Sequence, residues 1–96
     1  MKVHLERTGG IAGLRITRDL DSANLSEPRQ AELSQLVTAA HVFDLPPSMR
    51  GANTGADRFQ YKLTVETEEQ QHSLEFDESA TPETLRSLLR WIMANS

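Results

Sequence analysis

The 96 residues contain no cysteine, so neither a disulfide framework nor a thiolate metal cluster can hold this chain together, and its stability must come from packing. Aromatic residues are scarce. One tryptophan, one tyrosine and three phenylalanines, within a hydrophobic content of 38%, fill one modest core and no more. No run approaches the roughly 18 apolar residues that span a bilayer. Residues 1–6 lack the apolar region of a secretory leader, so a cytoplasmic location is expected. Positive charge is in deficit as well: 10 Lys and Arg against 14 Asp and Glu give a net charge of -4, with the acids crowded into residues 66–78. That balance argues against phosphate backbones and anionic lipids, so neither a nucleic-acid nor a membrane partner is expected.

What is present is periodicity. Val3 and Leu5, then Leu14, Ile16 and Leu20, recur at period two and predict two short strands flanking a glycine-rich hairpin loop over residues 8–13. Phe59, Tyr61, Leu63 and Val65 repeat the pattern, and the polar residues 67–71 lead to a partner strand at His72, Leu74 and Phe76. Between the hairpins, Ser26 offers an N-cap and Pro28 suits a first turn. Leu33, Leu36, Val37 and Ala40 then follow one apolar stripe of a helix ending near Phe43. Thr81, Pro82 and Glu83 start a second helix whose stripe is Leu85, Leu88, Leu89 and Ile92.

The order β-β-α-β-β-α predicts a single α+β domain over residues 1–96, a four-stranded antiparallel sheet with both helices packed on one face. If the first helix crosses the sheet from the end of the second strand, it finishes beside the first hairpin's turn. The loops 9–13 and 46–57 then share one end of the sheet. The second of these is the anomaly, because a structureless connection of about a dozen residues is uncommon in so small a domain, and such loops are either functional or merely disordered.

Catalytic chemistry finds no foothold. His4, His41 and His72 show no metal-ligand spacing, and His72 shares the apolar parity of Leu74 and Phe76, which makes it a half-buried strand residue. No serine sits in a nucleophile-elbow context, and the glycines at 9, 10 and 13 are not followed by the Lys-Ser/Thr helix of a phosphate loop. Glycine explains the hairpin turn but not Ile11, an aliphatic residue at its tip, which either folds back on the core edge or meets a partner. Asp57, before Arg58 and Phe59, either caps a turn or pairs with a neighbouring arginine, and Asp44 has similar ambiguity. Leu45 closes the core under the first helix, Met49 is a second apolar anchor on the long loop, and Trp91 reads as core.

The runs Arg7-Thr8-Gly9-Gly10-Ile11-Ala12-Gly13-Leu14-Arg15, Phe43-Asp44-Leu45-Pro46-Pro47, Gly55-Ala56-Asp57-Arg58-Phe59-Gln60-Tyr61-Lys62-Leu63 and Leu85-Arg86-Ser87-Leu88-Leu89-Arg90-Trp91 together resemble the emfourins. These are bacterial protein inhibitors of protealysin-like, thermolysin-family zinc peptidases. The resemblance covers nearly the whole chain; each piece is weak alone, and the ordered set is fairly specific. It implies that the chain is no enzyme, needs no cofactor, and has a thermolysin-like zinc metallopeptidase as partner. It further implies that two neighbouring loops enter the peptidase cleft, one offering an aspartate to the zinc and the other apolar side chains to substrate pockets.

On this sequence the zinc ligand is assigned to Asp57, with Asp44, Asp19 and Asp21 as alternatives. Peptidase contacts are assigned to Gly9, Gly10, Ile11, Ala12, Gly13, Pro46, Pro47, Met49 and Arg58. A monomer is expected when the chain is free. The competing function is a non-catalytic module that binds or escorts a secreted partner without touching its active site.

Overall fold

Alternating apolar residues build strands close to where the sequence puts them. The computed structural model describes residues 1–9, 13–49 and 59–96. The elements run β1 (Lys2–Gly9), β2 (Ile16–Asp21), α1 (Glu27–Ala40), β3 (Ser48–Met49), β4 (Phe59–Glu66), β5 (Gln71–Asp77) and α2 (Glu83–Asn95). β1 pairs antiparallel with β2 on one side and β4 on the other, and β4 pairs antiparallel with β5. Period two puts Val3, Leu5, Leu63, Val65, Leu74 and Phe76 on one face, each at most 2% exposed. Thr67 closes the second hairpin, its N–H donating to the Gln70 carbonyl at 2.8 Å.

The expected four-stranded antiparallel sheet needs correcting. Ser48–Met49 lies inside the stretch read as structureless, yet it runs parallel to β5, with Ser48 against Glu75 and Met49 against Phe76. The sheet is therefore mixed and five-stranded, in the order β2-β1-β4-β5-β3. Two residues are too few to show a period, and the prolines before them signal a loop. The strand forms because β5 offers a backbone edge, starting with the Glu75 N–H that donates to the Pro47 carbonyl at 2.8 Å.

Both helices cover the apolar face. Pro28 occupies the first turn of α1, where a missing N–H costs no helical bond, and Leu33, Val37 and Ala40 are buried with Leu36 packed beside them. α1 stops three residues before the expected Phe43. His41 turns left-handed there, with φ 51, and its N–H returns to the Thr38 and Val37 carbonyls, while 42–44 form a short 3-10 turn. In α2 the stripe Leu85, Leu88, Leu89 and Ile92 is buried throughout. Its cap position belongs to Pro82, not to Thr81, which is buried and donates its hydroxyl to the Asp77 carbonyl at 2.8 Å. Trp91 is half-buried and joins the helices through its indole N–H, which donates to Glu32 at 2.9 Å.

Two residues of the first hairpin depart from expectation. Leu14 is not part of the second strand: it precedes β2 and is 68% exposed. Arg18, matched with Leu5, faces the helix-covered side of this edge strand. Its Nε is buried without a hydrogen-bond partner among the described residues, while one terminal nitrogen donates to the Thr17 carbonyl at 3.0 Å.

The path after α1 also differs. The chain does not arrive beside the first hairpin's turn, because the Leu45 carbonyl accepts from His72 Nε2 at 2.8 Å, and His72 is matched with Val65 near the opposite end of the sheet. β3 then carries the chain along β5 to the other end.

Candidate functional site

Strand register brings the ends of the two candidate loops together. Gly9, the last residue of β1, is matched with Phe59, the first of β4. The hairpin loop therefore leaves the sheet where the long connection returns to it. One row inward, Ile16, Arg7, Tyr61, Phe76 and Met49 are matched in succession across all five strands. Directly matched residues project from the same face, so this row belongs to the helix-covered side, yet within it only Phe76 is fully buried. Tyr61 stacks on Phe76 with ring centres 5.3 Å apart, and the Arg7 guanidinium lies 4.6 Å over the Phe59 ring. The sheet ends in an apolar ledge carrying one cation, a composition suited to a protein partner.

Of the residues assigned to function, Gly10, Ile11, Ala12, Asp57 and Arg58 lie outside the described residues. Gly9 and Gly13 both have positive φ, 104 and 62, which is the backbone freedom the turn requires. Pro46 and Pro47 are exposed. Met49 is not the free anchor expected of a loop residue, since pairing with β5 packs it against the core. The alternatives to Asp57 lie away from the Gly9–Phe59 end: Asp19 is bonded to His4, Asp21 accepts from the Ala23 N–H at 3.0 Å, and Asp44 sits in the turn after α1, 4.0 Å from His41. Leu14 went unseen as a surface residue because its spacing from Ile16 continues the strand pattern. The adjacent Gly13 was the available sign that the strand had not yet begun.

The bare face of the sheet carries a chain of ionisable groups. His4 Nδ1 lies 2.5 Å from Asp19 Oδ1, His4 Nε2 lies 3.2 Å from Glu6 Oε1, and Arg15 donates to that same Glu6 oxygen at 2.8 Å. Bonding to Asp19 first, and then to Glu6, raises the His4 pKa above its ordinary 6.5. The bond to His4, followed by that to Arg15, holds Glu6 below its ordinary 4.5.

A raised histidine stabilises fully below its unfolded value and loses that contribution as pH climbs through the folded one. A lowered glutamate stabilises above its unfolded value and loses that as pH drops through the folded one. The thermal midpoint should be highest between pH 4.5 and 6.5 and decline toward alkaline pH. His4→Gln should remove the alkaline decline. Solvent screens these exposed pairs, so calorimetry should register a change of only a few degrees.

A depression of about 590 Å³ lies toward the other end of the sheet, lined by residues including Lys2, His4, Asp19, Asp21, Thr64 and Glu66. Its charges are mixed, and Asp19 and Asp21 already have partners. Among the described residues no group of three or more His, Asp or Glu side chains is arranged to hold a metal ion.

Comparison with known proteins follows the same direction. The sequence matches the emfourin family model over residues 5–93. Among solved structures, emfourin (M4in) from Serratia proteamaculans, described as an M4 family peptidase inhibitor, matches at a TM-score of 0.52 and 18% identity, covering 98% of this chain and 88% of that one. At that identity the structural likeness concerns the fold alone. No curated protein sequence matches.

Proposed function

Because this chain belongs to the emfourin family, we propose that it inhibits a thermolysin-family zinc metallopeptidase by placing two neighbouring loops in the active-site cleft. Membership puts it among inhibitors and not among catalysts. The observation that carries the two-loop reading is the pairing of Gly9 with Phe59. Ile11 follows Gly9 by two residues and Asp57 precedes Phe59 by two, so covalent reach keeps each within about 7 Å of that pair.

The chemistry assigned to the loops is consistent with a hydrolytic zinc site. Such a zinc keeps one position open for water, and a carboxylate oxygen is an acceptable ligand there at about 2.0–2.2 Å. Asp57 in that position displaces the activated nucleophile. Since the ligand is a side chain, no scissile peptide need lie across the metal, and the inhibitor is not cut. Ile11 and the glycine-rich turn enter an apolar substrate pocket, and the ledge of Arg7, Phe59, Tyr61 and Ile16 widens the contact toward the roughly 800 Å² per partner of a stable interface.

Titrating a purified thermolysin-family peptidase with this protein should abolish its activity reversibly. A small active-site zinc chelator should compete with it. Binding that ignores the chelator, or leaves peptidase activity intact, would instead support an escort module acting away from the active site.

A further inference from the structure

Leu14 is the one large hydrophobic side chain among the described residues that stands mostly in water. We propose that Leu14 is a contact and specificity residue of the inhibitory surface, its side chain entering an apolar side-chain pocket of the target peptidase; this rests on the inhibitory reading above. A single exposed leucine is ordinary on a protein surface. What distinguishes this one is how it is held and what it borders.

Gly13, immediately before it, has φ 62, and among the described residues nothing lies within 4 Å of the position a Cβ would take. Arg15, immediately after it, is tied to Glu6, which is itself held by His4. The segment just after Leu14 is thus tied to β1 by one side-chain bond, from Arg15 to Glu6. A side chain presented in this way loses less conformational freedom on binding than one on an untethered loop. Ile16, two residues on, opens the row that crosses the sheet to Met49, so Leu14 adjoins the ledge a cleft-bound peptidase would cover. A branched aliphatic side chain beside such a ledge matches a desolvated pocket better than a polar rim, and buried apolar contacts of this type carry a large share of interface affinity.

The test compares the wild type with Leu14→Ala, Leu14→Asp and Leu14→Met by inhibition constant and thermal midpoint. Leu14→Ala should weaken inhibition by about ten- to a hundredfold and Leu14→Asp by more, while Leu14→Met, of similar volume, should stay within about threefold. The midpoint should be unchanged in all three, since Leu14 contributes nothing to the core. Across two peptidases of the class with different pocket sizes, Leu14→Phe should alter the ratio of inhibition constants. Full potency of Leu14→Asp in a wild type that inhibits overturns the contact and leaves the inhibitory reading standing. Equal losses in Leu14→Met and Leu14→Asp would make the position a backbone determinant and also overturn the contact. A wild type that inhibits no such peptidase overturns both.

Discussion

Replacing Asp57 by alanine is expected to weaken inhibition of a thermolysin-family peptidase by about two orders of magnitude or more, the scale for removing one partner of a desolvated charged contact. The effect follows from the role proposed for the carboxylate: without it the zinc regains its open position and its water. Asp57→Asn keeps the shape but loses the charge, and it should recover only part of the potency, because a neutral amide oxygen is a poorer partner for a divalent cation. Ile11→Glu tests the companion loop by driving a charge into an apolar pocket, and it should fail by a similar margin. Inhibition constants from residual activity measure all three. Full potency in both Asp57→Ala and Ile11→Glu would relocate the working surface away from the Gly9–Phe59 end, to Asp44 and Leu45 or to Asp19 and Asp21.

The largest effect on stability is expected from Phe76→Ala. The ring is 1% exposed, stacks against Tyr61 and lies opposite Met49, so its removal opens a cavity beneath the end of the sheet that carries the ledge. Truncations of this kind cost about 3–5 kcal/mol, a large part of the roughly 5–15 kcal/mol that holds a domain folded. The thermal midpoint should drop by about 15 °C or more. Because Tyr61 and Met49 lose their support together, inhibition should weaken even at temperatures where the variant remains folded. A drop of only a few degrees would mean that this end of the sheet is not packed as the stacking of Tyr61 on Phe76 indicates.

Much of this architecture was legible in the sequence, and the failures share a cause. Leu85, Leu88, Leu89 and Ile92 announce a helix, and Leu63, Val65, Leu74 and Phe76 announce strands, because each set repeats long enough for its period to be read. Ser48–Met49 became a strand through hydrogen bonds supplied by β5, which no local pattern encodes. Leu14 was misplaced because two residues of alternation cannot reveal that Gly13 has turned the chain left-handed. The shared end of the loops was expected for a reason that did not hold: α1 finishes elsewhere, and β3 completes the journey. As for the site, the pairing of Gly9 with Phe59 comes from the strand register and not from the sequence, while the choice of Asp57 and Ile11 rests on the reading of those residues within the mechanism that the family likeness implies.

Arg18 has a bearing on how the protein behaves when concentrated. Among the described residues β2 borders only β1, so its outer backbone groups could template a strand from another molecule. A guanidinium turned inward on that strand, already short of one hydrogen-bond partner, would be driven further from water by any such addition. The same residue that spoils the apolar alternation of β2 thereby discourages fibril growth along that edge.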